Sequence, residues 1–118
     1  MSILNFFIGN RNSSTKIIDD SLELIKNCRK EFEVEVYYQK YHYQIEMLDS
    51  INASLVRLSN GEDVYLHANS LMKQLAMISR SLDGRGTDNS DNYLNLLACN
   101  LKEIEEKYQN HIHIEKPL

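Results

Sequence analysis

Four tyrosines, Tyr37, Tyr38, Tyr41 and Tyr43, crowd around His42, and Glu31, Glu33, Glu35 and Glu46 flank them. A phenol joins a large apolar ring to a hydroxyl that needs a partner, so tyrosine suits a half-wet surface. Such rings recur at the energetic centres of protein contacts, and carboxylates around them draw in a basic partner. The chemistry on offer is recognition by an aromatic patch with an acidic rim. At helical spacing Tyr37 and Tyr41 fall on one packing stripe and Tyr43 on another, while Tyr38 and His42 fall between the two. The residues expected to bind a partner are therefore Tyr38, His42, Glu31, Glu33, Glu35 and Tyr43. A tyrosine-rich core seam is the competing reading of the same segment.

Reactive groups elsewhere do not converge. His42 has neither cysteine near it in sequence, so it builds no nucleophile–base pair. Glu31, Glu33 and Glu35 alternate, and on a helix they fan out. His111 and His113 point in different directions on a helix, and no further ligands stand nearby. Asp83, Asp88 and Asp91 miss the spacing of a calcium loop, because Arg85 stands where an oxygen ligand is needed. Gly84 and Gly86 form a lone Gly-x-Gly with no strand before it, which makes a phosphate-binding loop a poor reading. The sequence contains no Gly-x-Ser-x-Gly, His-Glu-x-x-His or Cys-x-x-Cys. The expectation is a protein that is not an enzyme, with no catalytic residue, no metal and no cofactor. Cys28 and Cys99 read as small buried hydrophobes in a reducing compartment.

The elements that position the tyrosines follow from what is missing. Pro117 is the single proline, and no glycine lies between Gly9 and Gly61, so a long helix is expected over Ser14–Asn60. Its apolar residues form two opposed stripes. One holds Ile18, Leu22, Ile25, Phe32, Val36, Tyr43 and Met47. The other holds Val34, Tyr37, Tyr41, Ile45, Leu48 and Leu55, with Ile51 and Leu58 at its edge. A straight rod of this length would reach roughly 65–70 Å, against a radius of gyration of about 13–14 Å for a domain this size. Three outcomes stay open: a kink near Glu33–Val36, an elongated monomer, or a homodimer covering the overhang. The alternation Phe32, Val34, Val36, Tyr38 also permits a short strand.

Ser59-Asn60-Gly61 ends this helix, and a second helix over 63–82 returns antiparallel with Val64, Ala68, Leu71, Leu75, Ile78 and Leu82 in its apolar row. Met72 and Ala76 flank that row. Residues 83–91 read as an exposed loop. Ser90 or Asp91 caps a third helix over 91–110, whose inner row is Leu94, Leu97, Leu101, Ile104 and Tyr108. Residues 111–118 read as a frayed tail. The expected fold is a single all-α domain: a bundle of three long helices, four if the first is kinked.

Residues 1–13 are an apolar head and polar hinge. Ile3, Leu4, Asn5, Phe6, Phe7 and Arg11 resemble the membrane-targeting N-terminus of the MinE cell-division regulators, which implies membrane contact through Ile3, Leu4, Phe7 and Ile8. The match covers about a tenth of the chain. It departs in having one basic residue where that family has several, and the family's α/β domain does not follow. A flap that closes the end of the bundle is the other reading of the head.

The 118 residues carry a net charge of −4, which disfavours a nucleic-acid partner and favours a basic protein. No leader and no run of about 20 apolar residues stands out, so the expected location is cytoplasmic. The expected function is a non-catalytic acidic protein-binding module, most concretely an immunity or antitoxin-type inhibitor of a basic nuclease-like toxin. The alternative is a peripheral membrane or assembly adaptor that uses the head.

Overall fold

Helix α1 (Lys16–Glu33) forms because Ile18, Ile25, Cys28 and Phe32 recur at helical spacing on one side, and all are buried. The computed structural model describes residues 16–34, 38–62 and 64–115, with side chains described outside 38–39, 64–69 and 108–115. Beyond Glu33, the Val34 amide still donates to the Lys30 carbonyl at 3.1 Å, but the Val34 side chain is 74% exposed. A 3-10 turn, Tyr38–Tyr41, then leads into α2 (His42–Ser59).

The helix expected over Ser14–Asn60 is therefore two helices. The reason is legible at Phe32 and Tyr41. Nine residues apart on a straight helix, they would stand about 13.5 Å apart along the axis. Here their ring centroids are 4.6 Å apart. Each half buries its own stripe: Ile18, Ile25 and Phe32 before the break, and Tyr41, Ile45, Leu48, Ile51, Leu55 and Leu58 after it. Stripe members that cross the break lose burial: Val34 and Tyr43 are exposed, and Met47 is half-buried. Val36 and Tyr37 lie outside the described residues. The overhang that called for a second copy disappears with the straight rod. No strand occurs among the described residues.

Helix α2 ends on glycine for a conformational reason. Gly61 has φ +78°, its amide donates to the Leu58 carbonyl at 3.0 Å, and the Glu62 amide donates to the Arg57 carbonyl at 2.9 Å. This paired closure satisfies carbonyls that the helix end would leave bare. Helix α3 (Val64–Leu82) returns and buries Leu71, Leu75, Ile78 and Leu82, whereas Ala76 is exposed. The side chains of Val64 and Ala68 lie outside the described residues.

Helix α4 (Asp88–Glu115) begins earlier and ends later than its sequence suggests. Thr87, not Ser90 or Asp91, is the cap: its Oγ1 accepts from the Ser90 amide at 3.0 Å, and its carbonyl accepts from the Ser90 hydroxyl at 2.9 Å. The loop 83–91 shrinks to 83–87. At the other end the helix continues through 111–115, where a frayed tail is expected, because no helix breaker stands before Pro117. Leu94, Leu97, Leu101 and Ile104 form its buried row; the Tyr108 side chain lies outside the described residues.

The result is an all-α fold with four helices among the described residues, measuring 49 × 28 × 19 Å. The extensive interfaces are α2 with α3, α3 with α4, and α4 with α1; the α1–α2 seam is lighter. Near the end of α1, the Cys28 Sγ lies 4.0 Å from the carbonyl of Ser90, early in α4. Helices α1 and α4 therefore run antiparallel.

Candidate functional site: the junction end of the bundle

The end of α1, the start of α2, the end of α3 and the start of α4 meet at one pole. Tyr41 ties them together. Its ring lies on Phe32, its hydroxyl donates to the Arg85 carbonyl at 3.1 Å, and the Lys40 ammonium stands 5.2 Å from its centroid. Beside it the Gln44 amide donates to the Ser81 hydroxyl at 2.9 Å, and that hydroxyl donates to the Ile78 carbonyl at 2.7 Å. The Gln44 Oε1 is buried with no partner among the described residues. Asn89 reaches Glu31 at 3.4 Å.

Residues read from the sequence as a binding face divide here. Tyr41 is 4% exposed and belongs to the core, as its stripe position implied. Tyr43 is 41% exposed. His42 is solvent-facing and its Nε2 lies 3.0 Å from Glu46. Glu33 is exposed and paired with Arg29 at 2.9 Å; Glu31 is half-buried. The backbone of Tyr38 lies in the 3-10 turn, so it sits at the same pole. Glu35, and the head residues Ile3, Leu4, Phe7 and Ile8, lie outside the described residues.

Two further contributors stand here. Val34, which its spacing places on a packing stripe, is instead an apolar side chain 74% exposed. The loop is exposed as expected, and its Asp83, Arg85, Asp88 and Asn89 belong to this same pole. Its packing is close: a Cβ on Gly86 would fall 2.8 Å from Asp91 Oδ1 and 2.9 Å from Ser90 Oγ. The signal was the pair of glycines around Arg85, which marks a tight turn as readily as a flexible one.

Along the α1–α2 seam an open groove of about 440 Å³ lies between Leu22, Lys26 and Arg29 on one side and Asp49 and Asn52 on the other. Arg29 bridges it, with Nε 2.9 Å from Asp49. That hydrogen bond, before the one to Glu33, raises the guanidinium pKa above its ordinary value.

The two thiols differ. Cys28 is fully buried, and its pKa is pushed up to about 12, chiefly by burial and then by Glu31 and Asp91. Cys99, expected to be buried, is exposed, because it lies off the Leu94–Leu97–Leu101 row. One thiol per chain should react with a maleimide in the native protein at neutral pH, and the second only after denaturation. Two fast-reacting thiols would contradict the packing of α1 on α4.

No group of three or more His, Cys, Asp or Glu among the described residues is placed to hold a metal ion. No helix among them is long and apolar enough to cross a membrane. Comparison with known proteins finds no matching family model, no matching curated protein and no matching solved structure.

Proposed function

We propose that the chain is a non-catalytic, acidic protein-binding module that works in the cytoplasm and presents its junction pole to a basic partner. Its most concrete form is an immunity or antitoxin-type inhibitor that neutralises a nuclease-like toxin. The observation that carries this reading is the exposure of Val34 and Tyr43 on either side of the break, next to the carboxylate of Glu33. Isolated exposed apolar residues are ordinary. Here an aliphatic and an aromatic side chain share one pole with exposed acids, a composition suited to a contact with an apolar centre and a charged rim. Carboxylates at the rim speed the encounter with a cationic surface, and the rings supply the desolvated contact.

Affinity capture from the source cell identifies the partner; kinetics on variants then test the face. Tyr38→Ala should weaken binding by about 2 kcal/mol or more while leaving the melting temperature nearly unchanged. Changing Glu31, Glu33 and Glu35 together to Gln should mainly slow association, with the effect shrinking in high salt. If Tyr38→Ala melts the protein but binding per folded molecule stays the same, the tyrosines are core and the proposed face is wrong.

A further inference from the structure

The light seam of the bundle, between α1 and α2, holds the groove of about 440 Å³ that Leu22 and Ile25 line. Phe32 meets Tyr41 and Arg29 meets Asp49, so these two helices run antiparallel. Seven residues make two helical turns and return to the same side of a helix, about 10.5 Å along. Two turns back from Arg29 on α1 is Leu22; two turns on from Asp49 on α2 is Val56. The two apolar residues therefore face each other at the outer end of the groove. Leu22 is only half-buried, and Val56 is 40% exposed. Asp19 and Glu23, one turn apart on the groove wall, have no ion-pair partner among the described residues. We propose that residues 3–8 of the same chain fold back and fill this groove, packing on Leu22, Ile25 and Val56.

Reach, composition and charge single out this occupant. Leu22 stands about 9 Å along α1 from Lys16. Residues 9–15, which join the segment to α1, extend to about 23–25 Å at most, so the segment reaches the groove with slack. They read Gly-Asn-Arg-Asn-Ser-Ser-Thr, a run of turn formers suited to reversing the chain. Their one charge, Arg11, is opposite in sign to Asp19 and Glu23. Residues 3–8 carry no charge, and Ile3, Leu4, Phe6, Phe7 and Ile8 are all large and apolar. Docking removes from water the apolar surface that the light seam leaves wet, on both the groove and the segment. It is intramolecular, so it does not vary with protein concentration, and it makes no use of the partner proposed for the junction pole.

The chain contains no tryptophan, so Phe7→Trp supplies a single reporter, read in lipid-free buffer by its emission maximum and by acrylamide quenching. The indole should emit to the blue of the same protein in urea and be quenched several-fold less. Adding Val56→Glu puts a charge into the groove. Emission should then move to the red and quenching rise close to the unfolded value, with helicity unchanged. Met77→Glu is the control: Met77 is equally exposed, at 40%, but stands on α3, away from the groove. It should leave emission and quenching as they were. The proposal is overturned if the indole of Phe7→Trp behaves as solvent-exposed, or if Val56→Glu and Met77→Glu act alike. It is also overturned if protection of the indole grows with protein concentration, which would place the segment on a second copy. Should Val56→Glu lose helicity, Val56→Ser carries the comparison.

Discussion

Phe32→Ala should be the most damaging single truncation at the junction, costing about 3–5 kcal/mol, as deletion of a fully buried ring does. Phe32 has no exposed surface and closes the end of α1 against Tyr41. Its removal leaves a cavity at the point where four elements converge, so little can collapse to fill it. A domain of ordinary stability has about 5–15 kcal/mol in total, and the variant should lose on the order of 10–20 °C in melting temperature. Val34→Ala, two residues on, is the control. Being largely in water, it should stay within about 0.5 kcal/mol of the parent. Chemical denaturation of the three proteins decides the matter: a loss below about 1 kcal/mol for Phe32→Ala would mean that α1 does not pack as described.

Alkali should weaken the fold through Cys28. The folded thiol is held at about 12, against 9.0 for the same group in its reference state. Between those values the unfolded chain gives up the proton and the folded chain does not. The contribution of the thiol is thus fully present below pH 9 and is lost as pH rises from 9 towards 12, on the order of 4 kcal/mol in full. Tyrosines and lysines also titrate in this range, so the measurement is a difference: urea unfolding of wild type and Cys28→Ala from pH 8 to 11. The wild type should show the steeper decline, by about one proton. Parallel curves up to pH 11 would show that the thiol ionises freely and is not enclosed between α1 and α4.

How much of this was visible in the residues themselves varies by element. Leu71, Leu75, Ile78 and Leu82, and the row Leu94, Leu97, Leu101 and Ile104, announce α3 and α4 through spacing alone, and all eight are buried. The break after Glu33 was half-visible. Two opposed stripes overlapping at Phe32–Met47 mean either a helix contacted on both sides or two helices end to end, and periodicity cannot choose between them. The choice is made by a tertiary contact, Phe32 on Tyr41, which no local pattern encodes. The cap of α4 is hidden from local pattern for a related reason. Thr87, Ser90 and Asp91 can all cap, and which one does depends on the left-handed turn at Asp83 and Gly84 that feeds it. Of the tyrosine cluster, Tyr41 could be assigned to the core from its stripe. The exposure of Val34 could not be foreseen, since its spacing matches Tyr41 and Ile45 and only the break removes it from their side.

The antiparallel run of α1 and α4 has a practical side. Lys16, at the start of α1, and Glu115, at the end of α4, both lie at the end of the bundle opposite the pole where Tyr41, Arg85 and Thr87 gather. A bead or a fluorescent reporter attached at either of these two positions hangs from the side opposite that pole. Immobilised there, the molecule stands with its break and its tight loop outward, so that a tethered sensor and a freely diffusing copy offer a binding macromolecule the same face.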